Sequence, residues 1–480
     1  MQHSKLYSSL NYFDKYEQNR LRKYISSPYF YKNEALIILF EILIKHQNRI
    51  KDGKNAKGIE DVNIWEKVSP GKAYDDVRFR KLKSELLKLV ESFLAQQIYE
   101  ENPLHQAAYL IEAIGKRKMT NLFKSARSSA KRLSNQQEIR PSNHYYHQYQ
   151  IEKNIYDISE NKTSRLERKN VEEIANNLDY FYLAEKLKYH CFILNQQSIV
   201  SHKYKMLFID EIINHIRKYD YNFIPPIAIY YQLYLTLEES ENEEHYLRFK
   251  ELLNKHNDLF PDDEAQRLYR YGLNISIRNI NKGKLSFYKE YFEMFVTILN
   301  KGYIFINGEL SPLHFTNLII AALRLKKYDW TKKFIDNYQH RLPENSRENA
   351  VSFNKARLLF HLEDYDSVIS LLSQIEYDDI FYNLGSKALL IRTYYETDEI
   401  DALDSLLESF RTYLSRQDKI PDQRRKNYKD FIKFIRKLSR VIPGDKKSIQ
   451  KIRAEFDKSE GIVSTDEWLK EKIEALEKGR

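Results

Sequence analysis

Residues 75–93 read Asp-Asp-Val-Arg-Phe-Arg-Lys-Leu-Lys-Ser-Glu-Leu-Leu-Lys-Leu-Val-Glu-Ser-Phe, and they decide the fold class. Phe79, Leu82, Leu86, Leu89 and Phe93 stand 3, 4, 3 and 4 residues apart. With about 3.6 residues per turn, that spacing lays all five on one stripe of an α-helix. Asp75 and Asp76 stand at its start, where negative charge suits the helix dipole. The segment therefore predicts a long amphipathic helix opening after Ser69-Pro70-Gly71.

Outward from it the same reading continues. Upstream, residues 34–44 carry a broad apolar helical face, followed by the polar loop of residues 51–58. Downstream, Asn102-Pro103 breaks the chain before two shorter helices near residues 104–114 and 121–133. Arg140-Pro141-Ser142-Asn143 reads as a boundary, since a proline biases the residue before it away from helical angles and Ser or Asn caps a new helix. Beyond it, Tyr180, Leu183, Leu187, Cys191 and Leu194 form another stripe, and Pro225-Pro226 separates helical pairs.

Helix–turn–helix marks then recur at Asn281-Lys282-Gly283-Lys284-Leu285, Leu325-Lys326-Lys327-Tyr328-Asp329-Trp330, Leu362-Glu363-Asp364-Tyr365-Asp366 and Glu396-Thr397-Asp398-Glu399-Ile400. Taking Leu285, Tyr328, Tyr365 and Ile400 as equivalents gives offsets of 43, 37 and 35 residues. In the last three units Leu323, Leu359 and Tyr394 precede the turn, and Phe334, Leu371 and Leu406 follow it. Pro261 and Pro343 stand where second helices should close. Past Pro421 comes a basic amphipathic helix, apolar at Phe431, Phe434, Ile435 and Leu438 and charged at Lys426, Lys429, Lys433, Arg436 and Arg440, which Pro443-Gly444 ends. Thr465-Asp466-Glu467-Trp468 opens a final helix that would cap the array. Residues 301–312, with Tyr303-Ile304-Phe305-Ile306 before Asn307-Gly308, read equally as a small strand or a packed loop.

Composition agrees with helices. The 480 residues hold only 12 Gly and 11 Pro, too few for the tight turns of many short strands. One cysteine, Cys191, rules out an intrachain disulfide framework and a multi-cysteine metal site, so a reducing, cytoplasmic setting is expected. The most apolar run, residues 35–44, contains Glu41 and is half the roughly 20 residues a membrane-spanning helix needs. The N-terminus shows no signal-peptide pattern. Charge is uneven. Residues 1–140 hold 26 Lys/Arg against 16 Asp/Glu, residues 141–420 hold 35 against 41, and residues 421–480 hold 17 against 11.

The stretch over residues 171–417 resembles the tetratricopeptide-repeat superfamily, on the strength of the four turns and the last two offsets, which lie near that family's period of about 34 residues. The resemblance implies stacked helix pairs building an extended surface that receives partner segments. The family's glycine-like site falls on Ile319, Ala356 and Ile391, and its alanine-like site on Thr331, Val368 and Leu403, which implies wider helix spacing. The N-terminal half is similar to uncharacterised bacterial helical proteins with a Ser-Pro-Tyr-Phe segment, here residues 27–30, and a Tyr-Asp-Asp helix, here residues 74–76. That likeness implies no activity.

Chemical motifs are sparse. Neither a Walker loop nor G-x-G-x-x-G nor H-E-x-x-H occurs. His144 and His147 share a helix face but lack a third ligand at fitting spacing. Glu211 and His215 stand at i, i+4, as exposed helix pairs often do. Asp262-Asp263-Glu264 and Tyr377-Asp378-Asp379 sit where helices begin, so their carboxylates read as caps. His190-Cys191 is no dyad, because adjacent helical residues point about 100° apart. Two basic segments stand out: Arg78, Arg80, Lys81 and Lys83 in the first turns of the opening helix, and Lys124, Arg127, Lys131 and Arg132 in a stretch without acidic residues from 113 to 137. They would meet phosphate if the first 140 residues bound nucleic acid. The hairpin wing of a winged helix-turn-helix is missing, since residues 95–104 hold no strand pair.

The expectation is thus an all-α, helical-repeat (α-α solenoid-like) protein in three parts. Residues 1–140 form a basic N-terminal helical module, residues 141–420 a helix-pair array clearest over 311–417, and residues 421–480 basic C-terminal helices. It is expected to act without catalysis or cofactor as a scaffold or adaptor binding another protein or peptide, the alternative being a nucleic-acid-binding regulator.

Overall fold

The structure, a computed structural model, describes residues 3–30, 33–53, 58, 60–160, 170–197, 204–373, 380–442, 445–458 and 466–478. Tyr377-Asp378-Asp379, Pro443-Gly444, Thr465 and residues 54–57 of the polar loop at 51–58 lie outside the described residues. Among the described residues the regular elements are 23 α-helices and short 3-10 turns, and the protein is all-α. The segment after residue 301 is a packed loop with one isolated bridge between Ile306 and Glu309. No helix among the described residues is long and apolar enough to cross a membrane.

The chain divides into two compact units, residues 1–186 and 187–480. The first holds α1 (Lys5–Leu10), α2 (Lys15–Ile25), α3 (Glu34–Lys51), α4 (Asp61–Val68), α5 (Asp76–Glu101), α6 (Pro103–Lys116), α7 (Thr120–Gln136) and α8 (Ser142–Glu160); α9 (Val171–Gln197) runs from it into the second. The second unit continues with α10 (Ile209–Lys218), α11 (Pro225–Glu238), α12 (Glu243–His256), α13 (Asp262–Asn281), α14 (Phe287–Asn300), α15 (Pro312–Arg324), α16 (Tyr328–Tyr338), α17 (Glu344–His361) and α18 (Tyr365–Ser373). It closes with α19 (Ile380–Glu396), α20 (Ile400–Arg416), α21 (Asp422–Leu438), α22 (Lys446–Asp457) and α23 (Asp466–Glu477).

Local chemistry sets the helix starts. The Asp75 carboxylate accepts the Arg78 backbone N–H and caps α5. Asn102 accepts from His105 N–H while Pro103 takes the first position of α6, where a missing N–H costs nothing. The stripe that opened the reading is buried: Phe79, Leu82, Leu86, Leu89 and Phe93 pack into one core with Leu36, Leu39, Phe40 and Leu43 of α3. Each such side chain contributes about 1.5–3 kcal/mol when fully buried. The first unit runs past residue 140 because α8 packs on α6. Ile151 and Ile155 join its apolar cluster, and Asn154 Nδ2 donates to the Ala108 carbonyl at 3.1 Å.

One turn geometry recurs. Lys118, Gly283, Lys326, Glu363 and Asp398 all have positive φ, between 53° and 86°. In each case the following N–H reaches back five residues: Met119 to Ile114, Lys284 to Asn279, Lys327 to Ala322, Asp364 to Leu359 and Glu399 to Tyr394, at 2.9–3.0 Å. This is the Schellman closure of a helix, in which a left-handed residue turns the chain back on itself. Four of these residues stand two positions before Leu285, Tyr328, Tyr365 and Ile400; the fifth joins α6 to α7 in the first unit. Around the later turns Ile319, Ala356, Ile391, Thr331, Val368 and Leu403 are all fully buried. Alternate helices also pack on one another, α15 on α17 and α17 on α19. Gly385 permits the second contact, because a Cβ there would collide with the Phe353 ring. Pro261 and Pro343 act as first-helix caps, at the starts of α13 and α17.

Candidate functional site

Three first helices of the second unit each carry a pair of residues at i, i+4 facing one cavity: Ile320 and Arg324 on α15, Arg357 and His361 on α17, Arg392 and Glu396 on α19. The leading residues of these pairs are 37 and 35 residues apart, the same offsets as the turns. Trp468, Glu471 and Lys472 of α23 and Tyr288 of α14 complete the walls around about 580 Å³.

Of the four carboxylates that line the cavity, Glu396 and Glu467 are engaged by neighbouring side chains, while Glu363 and Glu471 have no ion pair among the described residues. Glu396 accepts from the Trp468 indole N–H at 2.6 Å and from Lys472 Nζ at 2.5 Å. Glu467 pairs with Arg324. Among the described residues, Arg357 and Arg392 have no carboxylate within ion-pair distance, and the Nε of each is enclosed without a hydrogen-bond partner. Each guanidinium lies over an aromatic ring instead. The Arg392 guanidinium lies 4.3 Å from the Phe360 ring centre and 5.1 Å from that of Trp468, and Arg357 lies 4.5 Å from that of Phe353.

Both guanidiniums sit deep in protein while keeping part of their surface open to the cavity. Burial pulls Arg357 down to about 10 and Arg392 to about 9, so both remain cations at neutral pH. His361 turns part of its ring to the opening, yet protein and the three arginines surround it. Burial first, then the positive charge of Arg392, Arg324 and Arg357, pushes its pKa to about 4 and holds it neutral. A groove between α20 and α21 is also basic, but Glu408 takes Arg411 and Arg436, and Glu455 takes Lys433 and Lys437.

The residues singled out from sequence lie elsewhere, in the first unit. Arg78, Arg80 and Lys81 are exposed at the start of α5, with Arg80 paired to Asp76. Lys83 is held at 2.8 Å by Asp61 and lies over the Phe79 ring, so its charge is spent. On α7, Lys124, Arg127, Lys131 and Arg132 are all exposed, opposite the buried Ala126 and Ala130, and no ion pair engages them among the described residues. The two sets stand on different helices.

The minor motifs resolve into structural roles. His144 and His147 are buried: His144 Nδ1 lies 3.0 Å from Gln137 Oε1, and His147 stacks toward His105 and meets Asn102. Burial lowers the pKa of both, His144 to about 4. Cys191 is fully buried, donates to the Tyr230 carbonyl at 3.2 Å, and has its thiol pKa pushed up by burial. His215 meets Tyr221 Oη at 2.7 Å rather than Glu211. The acidic cluster is divided among donors: Tyr303 to Asp262, Arg267 to Asp263, and Tyr230 and Lys188 to Glu264.

Comparison of the chain with models of known protein families, with curated proteins and with solved structures returns no match. Sequence reasoning passed over Arg357 and Arg392. Their signal was present: an arginine eight positions before each of Tyr365 and Ile400, at the register of Ile320 before Tyr328.

Proposed function

We propose that the chain is a helical-repeat interaction protein whose receiving surface in the second unit is the first-helix face of α15, α17 and α19. One observation carries this reading. Residues at matching registers before three successive identical turns line a single cavity, as stacked helix pairs require when they present a shared surface. The tetratricopeptide-like resemblance supports it through the six buried equivalents around those turns. No catalytic constellation is needed: the cavity offers cations, rings and hydroxyls for binding.

The test is a photo-crosslinking residue at Ile320 of the full chain, with a matched probe at exposed Leu285 as control. A discrete adduct from native lysate at Ile320 and not at Leu285 supports the surface; equal labelling at both sites, or at neither, counts against it.

The nucleic-acid reading is kept for the first unit, on the exposed and unpaired stripe of Lys124, Arg127 and Lys131 along α7. Phosphate contact needs no more than cations on one face. If these three meet phosphates, affinity for a DNA or RNA probe falls roughly 40-fold between about 50 and 200 mM salt. A probe left unshifted at low salt ends this reading.

A further inference from the structure

We propose that the cavity walled by α15, α17, α19 and α23 is an oxyanion-binding site, in which Arg357 and Arg392 together hold a carboxylate or phosphate group. The inference goes beyond the interaction reading and rests on the cavity's own geometry.

A guanidinium offers five N–H donors in its plane and two faces above and below it. Here the guanidiniums lie over the rings of Phe353, Phe360 and Trp468, which offer no oxygen to accept an N–H. The enclosed Nε of each arginine has no hydrogen-bond partner. Nor can the charge be shed, because an arginine stays protonated at neutral pH even when buried. Among the described residues none of the four carboxylates that line the cavity, Glu363, Glu396, Glu467 and Glu471, forms an ion pair with either arginine. Glu396 is taken by Trp468 and Lys472 and Glu467 by Arg324, while Glu396 and Glu471 act on Arg392 only from beyond ion-pair distance. An oxyanion entering the cavity supplies what is missing, since its paired oxygens match the donor fork of a guanidinium and bring the opposite charge. The volume of about 580 Å³ suits a small ligand or one side-chain group rather than a folded partner.

A purely structural role, with Arg392 clamping α23 to α19 through Trp468 and Arg357 packing over Phe353 of α17, predicts something different. Removing the charge would then weaken the fold and leave every anion response as before. The experiment uses full-length protein carrying Trp65→Phe and Trp330→Phe, which leaves Trp468 as the single tryptophan at the cavity wall. It is titrated at constant ionic strength with inorganic phosphate, glutarate and a short glutamate peptide, with a lysine peptide as control. The expected result is a saturable change in Trp468 emission with at least one anionic probe and none with the lysine peptide. In Arg357→Met the response should weaken at least tenfold. Arg357→Lys, which keeps the charge but loses the fork, should fall between, and it carries the comparison if the Met variant does not fold. A response to phosphate or glutarate shows that a free anion suffices; a response to the glutamate peptide alone shows that the oxyanion arrives on a chain. Either supports the site. Absence of any response up to millimolar probe, or a response unchanged in both Arg357 variants, overturns it, and neither result bears on the crosslinking test of the interaction surface.

Discussion

Buried histidine and buried arginine meet opposite fates, each shown most plainly in one of the two units. In the first, His144 and His147 lie inside and give up their protons, while the cations of α7 stay in water. In the second, Arg357 and Arg392 go into a cavity as cations and lack the carboxylate that would settle them. Desolvation acts on both, but imidazole escapes it by losing a proton within the ordinary pH range and guanidinium does not. A buried histidine is therefore compatible with a closed core. A buried unpaired arginine marks a place where something else is expected to bind.

The largest effect that would sharpen this contrast is acid sensitivity in the first unit. His144 has a folded pKa of about 4 against an ordinary value of 6.5, so the unfolded chain takes up its proton first. Its contribution is present above pH 6.5 and is lost as pH falls toward 4, amounting to about 3 kcal/mol across that window. His147 shifts in the same direction. Hydrogen exchange of the α6 and α8 amides should rise steeply over this interval, and His144→Gln should flatten the profile. A flat profile in the unaltered protein would remove one half of the comparison.

Next comes Arg357. If its charge is an unanswered cost, Arg357→Met should leave the anion-free protein as stable as before or more stable by about 1 kcal/mol, read from denaturant midpoints. A clear loss of stability would instead make the arginine a structural clamp. The shared turn gives a smaller measure that should be equal in both units. Lys118 and Glu363 each hold a left-handed conformation that suits glycine, so Lys118→Gly and Glu363→Gly should each raise stability by about 0.5–1 kcal/mol. Unequal gains would show that the turns differ in context. The smallest effect belongs to α7, where reversing Lys124, Arg127 and Lys131 to Glu should move stability by less than about 0.5 kcal/mol. The same variant should abolish any salt-dependent nucleic-acid binding.

Much of the helical framework was legible in advance because it rests on local spacing. The five residues from Phe79 to Phe93, the Asp75 cap and the Asn102-Pro103 break each depend on neighbours within a few positions. Four of the recurring turns were legible as polar interruptions at offsets of 43, 37 and 35 residues, but their left-handed residues were not, since three of the four are Lys, Glu or Asp rather than Gly. The basic stripe of α7 was visible as a charge run and remains one. Lys83 looked like its neighbours until Asp61, 22 residues earlier, turned out to hold it.

The order of amino acids by itself determined that the chain is helical, where most helices begin and end, and which face of each is apolar, because hydrogen bonds four residues apart and a period of about 3.6 act within one segment. Only the tertiary structure decided that Arg357 and Arg392 share a cavity and that none of the carboxylates lining it pairs with them. Whether a charge is solvated, paired or stranded depends on what stands beside it in space, and here those neighbours come from helices as far apart in the chain as α15 and α23.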